Sequence, residues 1–247
     1  LIGLLSWQVS WYVSIIMSIL ILASVRFLAK TERNKGTKPQ KENQQVGMLK
    51  KSWKRSEMLR SWVFWAAVPG LMTSPMITTT LFFHQVHLVE IKSWDLSTYV
   101  LFIPAYSVAT LFSLYLIGYL VDKLSTKIIL PVFLFPLISG LLLLSIATSY
   151  LELLLSFILL GLSAGAYIVV YGTFFPEFFG SLYLGSVRTV GLTIMVFSSA
   201  IGPVLSGYFI DLGYLIEYQF KFFAAFSVFA SLLFLTINLR VSLPGNA

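Results

Sequence analysis

The chain reads as an all-α membrane protein with seven transmembrane helices, and three observations carry that reading. Hydrophobic residues fill 57% of its 247 positions and charged residues 11%, far below the roughly 25% charged of an ordinary soluble domain. The mean hydropathy is +0.86. The apolar residues are also gathered into runs of about 20, the length at which a helix rising about 1.5 Å per residue crosses a hydrocarbon core of about 30 Å. A soluble core could not hide this much apolar surface.

In chain order the runs cover 7–28, 61–84, 96–120, 128–148, 151–173, 189–210 and 218–239, each bounded by polar or turn-forming clusters. Between the first and second lies KTERNKGTKPQKENQQVGMLKKSWKRSEMLR, residues 30–60. Its polar, basic first part is expected to be disordered. Trp53, Met58 and Leu59 among Lys and Arg predict a short amphipathic helix lying on the membrane surface. With the spans alternating, every one of the 17 basic residues except Lys92 and Lys221 falls on one side. Basic residues accumulate on cytoplasmic faces, which places the linker and the C-terminus in the cytoplasm.

Pro69, Pro75, Pro104, Pro131, Pro136 and Pro203 sit in or near the spans. In a bundle, neighbouring helices and hydroxyls can satisfy the carbonyls that proline frees, leaving kinks. No Asp, Glu, Lys or Arg stands mid-span, where each costs about 2.5–3.5 kcal/mol on the insertion scale. Without cysteine there is neither a disulfide nor a thiolate metal site. The net charge of +7 follows membrane sidedness rather than a nucleic-acid surface. The chain opens inside an apolar stretch at Leu1, as a fragment would.

GYLVDKLSTK, residues 118–127, is a short charged turn between the third and fourth spans. Gly118 permits close helix approach, Asp122 can accept from a neighbouring helix N-terminus, and Lys123 and Lys127 can pair with acids or hold the turn at the interface. This order of Gly, Asp, Lys and a later basic residue resembles the signature loop of the major facilitator superfamily of secondary transporters. SWQVSWY, residues 6–12, resembles the aromatic start of the last helix of that family's first half, with Ser6 and Gln8 where Gly and Arg are common. FFHQVHL, 82–88, and FPEFFGSLYLGSVR, 175–188, are similar to a helix end and an inter-helix turn of its second half.

The resemblance implies a division into residues 1–29, the last helix of an N-terminal half; 30–60, a cytoplasmic linker; and 61–247, a six-helix C-terminal bundle built from two inverted three-helix repeats. It implies transport of a small solute by alternating access, powered by an ion gradient, with no cofactor. The partners it implies are the lipid bilayer, a small-molecule substrate, a co-transported ion and the N-terminal half, in a bacterial plasma (inner) membrane. A weaker likeness points to the monocarboxylate and oxalate/formate-like branch, whose mid-membrane Arg is absent from the third span.

Polar side chains recur at helical steps. Thr73, Ile77, Thr80, His84 and His87 share a face of the second span, with Ser74, Thr78 and Gln85 on the adjoining row. The third span repeats this with Tyr99, Tyr106, Thr110 and Ser113, and the fifth adds Tyr167 and Tyr171. Such stripes point away from lipid, into packing interfaces or a cavity. The cavity candidates are Thr73, Thr80, His84, Gln85, Tyr106, Thr110, Tyr167 and Tyr171; the alternative is hydroxyls bonded back to their own helices. His84 and His87 share a face but have no third His or Cys to complete a metal site. GLSAG, 161–165, and GPVLSG, 202–207, read as close helix contacts.

Glu177 and Arg188 fall on the same side as Asp122. With Gly118, Lys123 and Lys127 they are the candidate inner gate, the alternative being charges that snorkel to the interface. An enzyme would require a carboxylate pair, an activated nucleophile or a metal cluster, none of which the stripes offer. A channel subunit would require a pore ring of charges or carbonyls. A non-transporting sensor or scaffold is the remaining alternative, and solute uptake separates it from a transporter.

Overall fold

The computed structural model describes Tyr12 and residues 15–26 and 46–241, and all regular structure among them is helical. The chain divides into two units, residues 1–44 and 45–247. In the first, α1 (Ile15–Arg26) is a short apolar helix, exposed along its length. Most of SWQVSWY and the early linker lie outside the described residues.

The second unit holds α2 (Arg55–Met58), α3 (Trp62–Phe83), α4 (Gln85–Ile91), α5 (Leu96–Leu101), α6 (Ile103–Leu124), α7 (Thr126–Ile129), α8 (Phe135–Ile146), α9 (Tyr150–Phe179), α10 (Leu184–Asp211) and α11 (Ile216–Arg240). Five stretches are long and apolar enough to cross a membrane: α3, α5 with α6 as Leu96–Leu124, α9, α10 and α11. The expected fourth span is broken. Pro131 has no N–H and cannot continue α7, so a turn at 130–134 precedes the 12-residue α8, with Pro136 in its first turn.

Sequence signals set the ends. Asp95 caps α5 by accepting from the Thr98 N–H at 2.7 Å and the Thr98 hydroxyl at 2.8 Å. Those two bonds hold its carboxyl below the usual carboxylate range. Ser149 and Glu152 form a capping box on the 30-residue α9, which Gly180 terminates at φ 84°.

Helices follow one another in space in the order α6, α9, α8, α11, α3, α10, with α9 also touching α3 and α10. Exchanging α3 with α9, α6 with α10 and α8 with α11 leaves this order of neighbours unchanged. The main helix contacts therefore have an internal two-fold, from which the smaller contact of α9 with α10 departs. Glycines make the closest crossings possible: a Cβ on Gly161 would lie 2.3 Å from the Tyr106 carbonyl oxygen, and one on Gly202 2.5 Å from that of Met76. Both small-residue motifs are thus helix contacts, α9 on α6 and α10 on α3.

The segment after residue 45 behaves differently from the surface helix the sequence predicts. Backbone N–H groups of Met48, Leu49 and Trp53 donate to the carbonyls of Glu177, Phe178 and Phe179, which the end of α9 leaves without helical partners. Trp53 meets Phe179 edge-on at 5.9 Å, and Met58 is fully buried. The apolar side of the segment therefore packs on the bundle, Trp53 against the aromatic end of α9 and α2 against α10, which takes that side out of water.

Candidate functional site

Proline positions organise the middle of the bundle. Pro75 removes the N–H that would have bonded the Leu71 carbonyl, and the Tyr167 hydroxyl donates to that carbonyl from α9 at 3.0 Å. Pro203 does the same to the Ser199 carbonyl on α10. The Thr79 hydroxyl lies 3.0 Å from it and also within reach of the Pro75 and Met76 carbonyls of its own helix. A hydroxyl has one proton to give. Of these acceptors only Ser199 lacks a helical donor, so the cross-helix bond is the one that satisfies an orphan group. Both freed carbonyls are satisfied by hydroxyls of neighbouring helices, as expected for prolines inside a bundle.

Thr73 and Thr80 are buried, with their hydroxyls donated to the Gly70 and Met76 carbonyls at 2.7 Å each. Thr110 is half-buried and donates to the Tyr106 carbonyl at 2.8 Å. Tyr167 and Tyr171 are buried and tilted against each other at 5.9 Å, the second donating to the Arg188 carbonyl at 3.3 Å. His84, half-buried, has Nε2 3.0 Å from the Pro203 carbonyl. Gln85 keeps a buried Oε1 without a partner among the described residues. Among those residues no three His, Asp or Glu converge on a metal position.

What opens outward is a cleft of about 630 Å³ between α3 and α10, lined by Thr78, Thr79, Phe82, Phe83, Ser199 and Pro203 among others. Tyr106 of α6 meets Phe82 edge-on at 5.5 Å, and the Thr78 side chain comes up to its phenol. The cleft has the volume of a small-molecule site. Thr78, Thr79 and Ser199 were not among the sequence candidates. The position of Pro203 was the available signal, since a proline-freed carbonyl needs a donor from the facing helix.

At the basic end, Glu177 takes the part expected of Asp122. Its carboxylate accepts from the Ser125 hydroxyl at 2.9 Å, the Thr126 hydroxyl at 2.6 Å and the Thr126 N–H at 3.0 Å, so it caps the start of α7. Ser125 is held there at φ 78°. Asp122 is exposed and makes no hydrogen bond or ion pair with any described residue. A Cβ on Gly118 would meet nothing within 4 Å, so the close approach expected there is not made by the described residues. Lys123 lies 4.4 Å over the Tyr119 ring, Lys127 is buried within α7, and Arg188 points toward Gly172 without an ion pair among the described residues. The expected contacts among Asp122, Glu177 and Arg188 are therefore not formed here. Glu177 reaches the α7 start because it lies in the last turn of α9, beside Thr173 and Thr126, which themselves bond at 2.6 Å.

The opposite end carries an ion pair that the sequence reading missed. Lys92, after α4, bonds Glu217 of α11 at 3.3 Å and the Ser145 carbonyl of α8 at 3.2 Å. Nothing in the spacing of 92 and 217 signals it, since only the fold joins α4 to α11.

Stacked apolar helices with proline breaks, glycine crossings and an internal two-fold define a multi-pass helical membrane protein of the kind built to move. The chain belongs to the Major Facilitator Superfamily: the family model matches residues 1–138 and again residues 84–245. No curated protein and no solved structure matches it. Members of this superfamily are secondary transporters, so the chain serves transmembrane movement of a small solute by alternating access, with the bilayer and that solute as its partners.

Proposed function

We propose that the solute is bound in the cleft between α3 and α10, where the Thr78 hydroxyl and the Tyr106 phenol orient it and Phe82 and Phe83 provide apolar walls. One observation carries this reading: of the three hydroxyls lining the cleft of about 630 Å³, those of Thr79 and Ser199 are given to helix carbonyls, whereas that of Thr78 comes up to the Tyr106 phenol behind the Phe82 wall. The cleft lining includes no Asp, Glu, Lys or Arg. Its walls suit a neutral polar group, or the uncharged part of a larger solute.

The same reading takes residues 61–247 as the C-terminal half, residues 1–29 as the last helix of a preceding half and 30–60 as their linker. A co-transported ion supplies the driving force, and the basic end faces the cytoplasm of a bacterial inner membrane. Asp122 and Arg188, left without charged partners in the bundle, are free to meet the other half as an inner gate.

Thiol labelling in vesicles tests this, using the complete transporter with any cysteine outside these 247 residues replaced, since these residues include none. Thr78→Cys and Ser199→Cys should react with a small maleimide at least about tenfold faster than Thr73→Cys and Thr80→Cys, whose side chains are sealed between helices. Equal rates at all four positions would remove the cleft from the solute path.

A further inference from the structure

The basic end carries a surface that helix packing leaves exposed. Lys50, Lys51, Lys54, Arg55 and Arg60 are all exposed, while the apolar side chains between them are turned into the bundle, with Met58 fully buried. Glu57 is the acid of this segment and is already bonded to Lys51 at 3.1 Å and to the Lys54 N–H at 2.9 Å. Of the other acids at this end, Glu177 is held by Ser125 and Thr126, and Asp122, in the last turn of α6, does not line the groove described next.

Between α2 and the start of α10 this surface folds into a groove of about 440 Å³, lined by Lys54, Arg55, Ser56, Leu59, Tyr183 and Ser186. Lys54 Nζ stands 5.8 Å from the Tyr183 ring, and Arg55 has no hydrogen-bond or charge partner among the described residues. The groove sits at the level where two spans begin, α3 at Trp62 and α10 at Leu184. Trp62 and Trp65 are exposed beside it, and Arg240 of α11 lies 5.9 Å over the Trp62 ring. Exposed Trp at a span end marks the headgroup layer.

We propose that this groove binds the headgroup of an anionic phospholipid, the phosphate lying between Lys54 and Arg55 and the glycerol against Leu59 and Tyr183. Charge decides the class of ligand. Basic residues next to a membrane gain affinity for anionic lipid one by one, and here they line a built concavity rather than a mobile tail. Because the segment is pinned to α9 by Met48, Leu49 and Trp53, a bound headgroup would fix the end of the linker against the bundle.

The complete protein with its other tryptophans replaced by Phe, reconstituted in vesicles, reports the contact through Trp62 and Trp65. Dibrominated phosphatidylglycerol should quench tryptophan fluorescence more strongly than dibrominated phosphatidylcholine at equal mole fraction. The preference should fall by about fivefold in Lys54→Gln or Arg55→Gln and by roughly tenfold or more in the pair, with the thermal unfolding temperature unchanged. Lys221→Gln, at the opposite end, should leave it intact. Equal quenching by the two lipids in the unaltered protein, or an unchanged preference in the double variant, overturns the proposal. So does loss of the preference in millimolar inorganic phosphate, which would mark a site for soluble anions.

Discussion

Single residues in this bundle are chosen by what proline and helix ends leave unbonded. Tyr167 and Thr79 illustrate the rule, since each gives its proton across a helix interface to a carbonyl that Pro75 or Pro203 has freed. Tyr167→Phe keeps the ring and removes only that bond, so unfolding in detergent should show a loss of about 0.6–1.7 kcal/mol, the range for bonds between membrane helices. No change would mean the Leu71 carbonyl has another donor. Glu177→Ala should cost more, about 1–3 kcal/mol, because the Thr126 N–H and two hydroxyls lose their acceptor. Glu177→Gln, which keeps one carbonyl oxygen, should recover part of it. Stability of Glu177→Ala equal to the unaltered protein would contradict its capping role. From sequence, the polar stripe on the second span was legible, but its facing was not. Thr73, Thr80 and Tyr167 occupy the same kind of helical row as Thr78, and only the partner across the interface decides which hydroxyls are consumed.

At the scale of elements, the spans were legible because their apolar runs are long and bounded by strong signals such as Ser149–Glu152 and Gly180. The fourth was not, since hydropathy does not register the missing N–H of Pro131. The two glycine motifs were read correctly as contacts for a simple reason: small residues one helical turn apart leave a flat strip that another helix can occupy. Their cost can be measured. Gly161→Ala or Gly165→Ala places a methyl about 2.3 Å from a carbonyl oxygen of α6, and overpacking of this kind costs about 1–3 kcal/mol. Gly118→Ala has open space around it and should leave the unfolding temperature unchanged or slightly raised, Ala being the better helix former. If the three variants unfold alike, the α6–α9 crossing is looser than described. The post-linker segment misled the sequence reading because a basic amphipathic pattern is the same whether its apolar face meets lipid or, as here, the ends of α9 and α10.

For the whole molecule, the internal two-fold is the property that matters. Each of its two contact sets pairs a central helix with a flanking one, α3 with α10 and α9 with α6, yet the residues making the contacts differ. In the first the glycine is on the flanking helix, Gly202; in the second it is on the central one, Gly161. The crossing recurs while the helix that carries its glycine differs, so the repeat is clearer in contacts than in sequence. Charges at the two ends follow a division of labour. Lys92 and Glu217 tie α4, α8 and α11 together at one end, whereas Asp122 and Arg188 at the other are left without charged partners in the bundle. An end that is tied within the bundle moves as a block; an end with unspent charges can bind and release a partner.

The most direct test of a cleft open alternately to the two faces is the sidedness of labelling at residue 78. In the complete protein carrying Thr78→Cys as its single cysteine, a membrane-impermeant maleimide should label the position in right-side-out and in inside-out vesicles alike, because each conformation exposes the α3–α10 cleft to a different side. Labelling from one face alone, with no reaction from the other at long times, would contradict alternating access through this cleft.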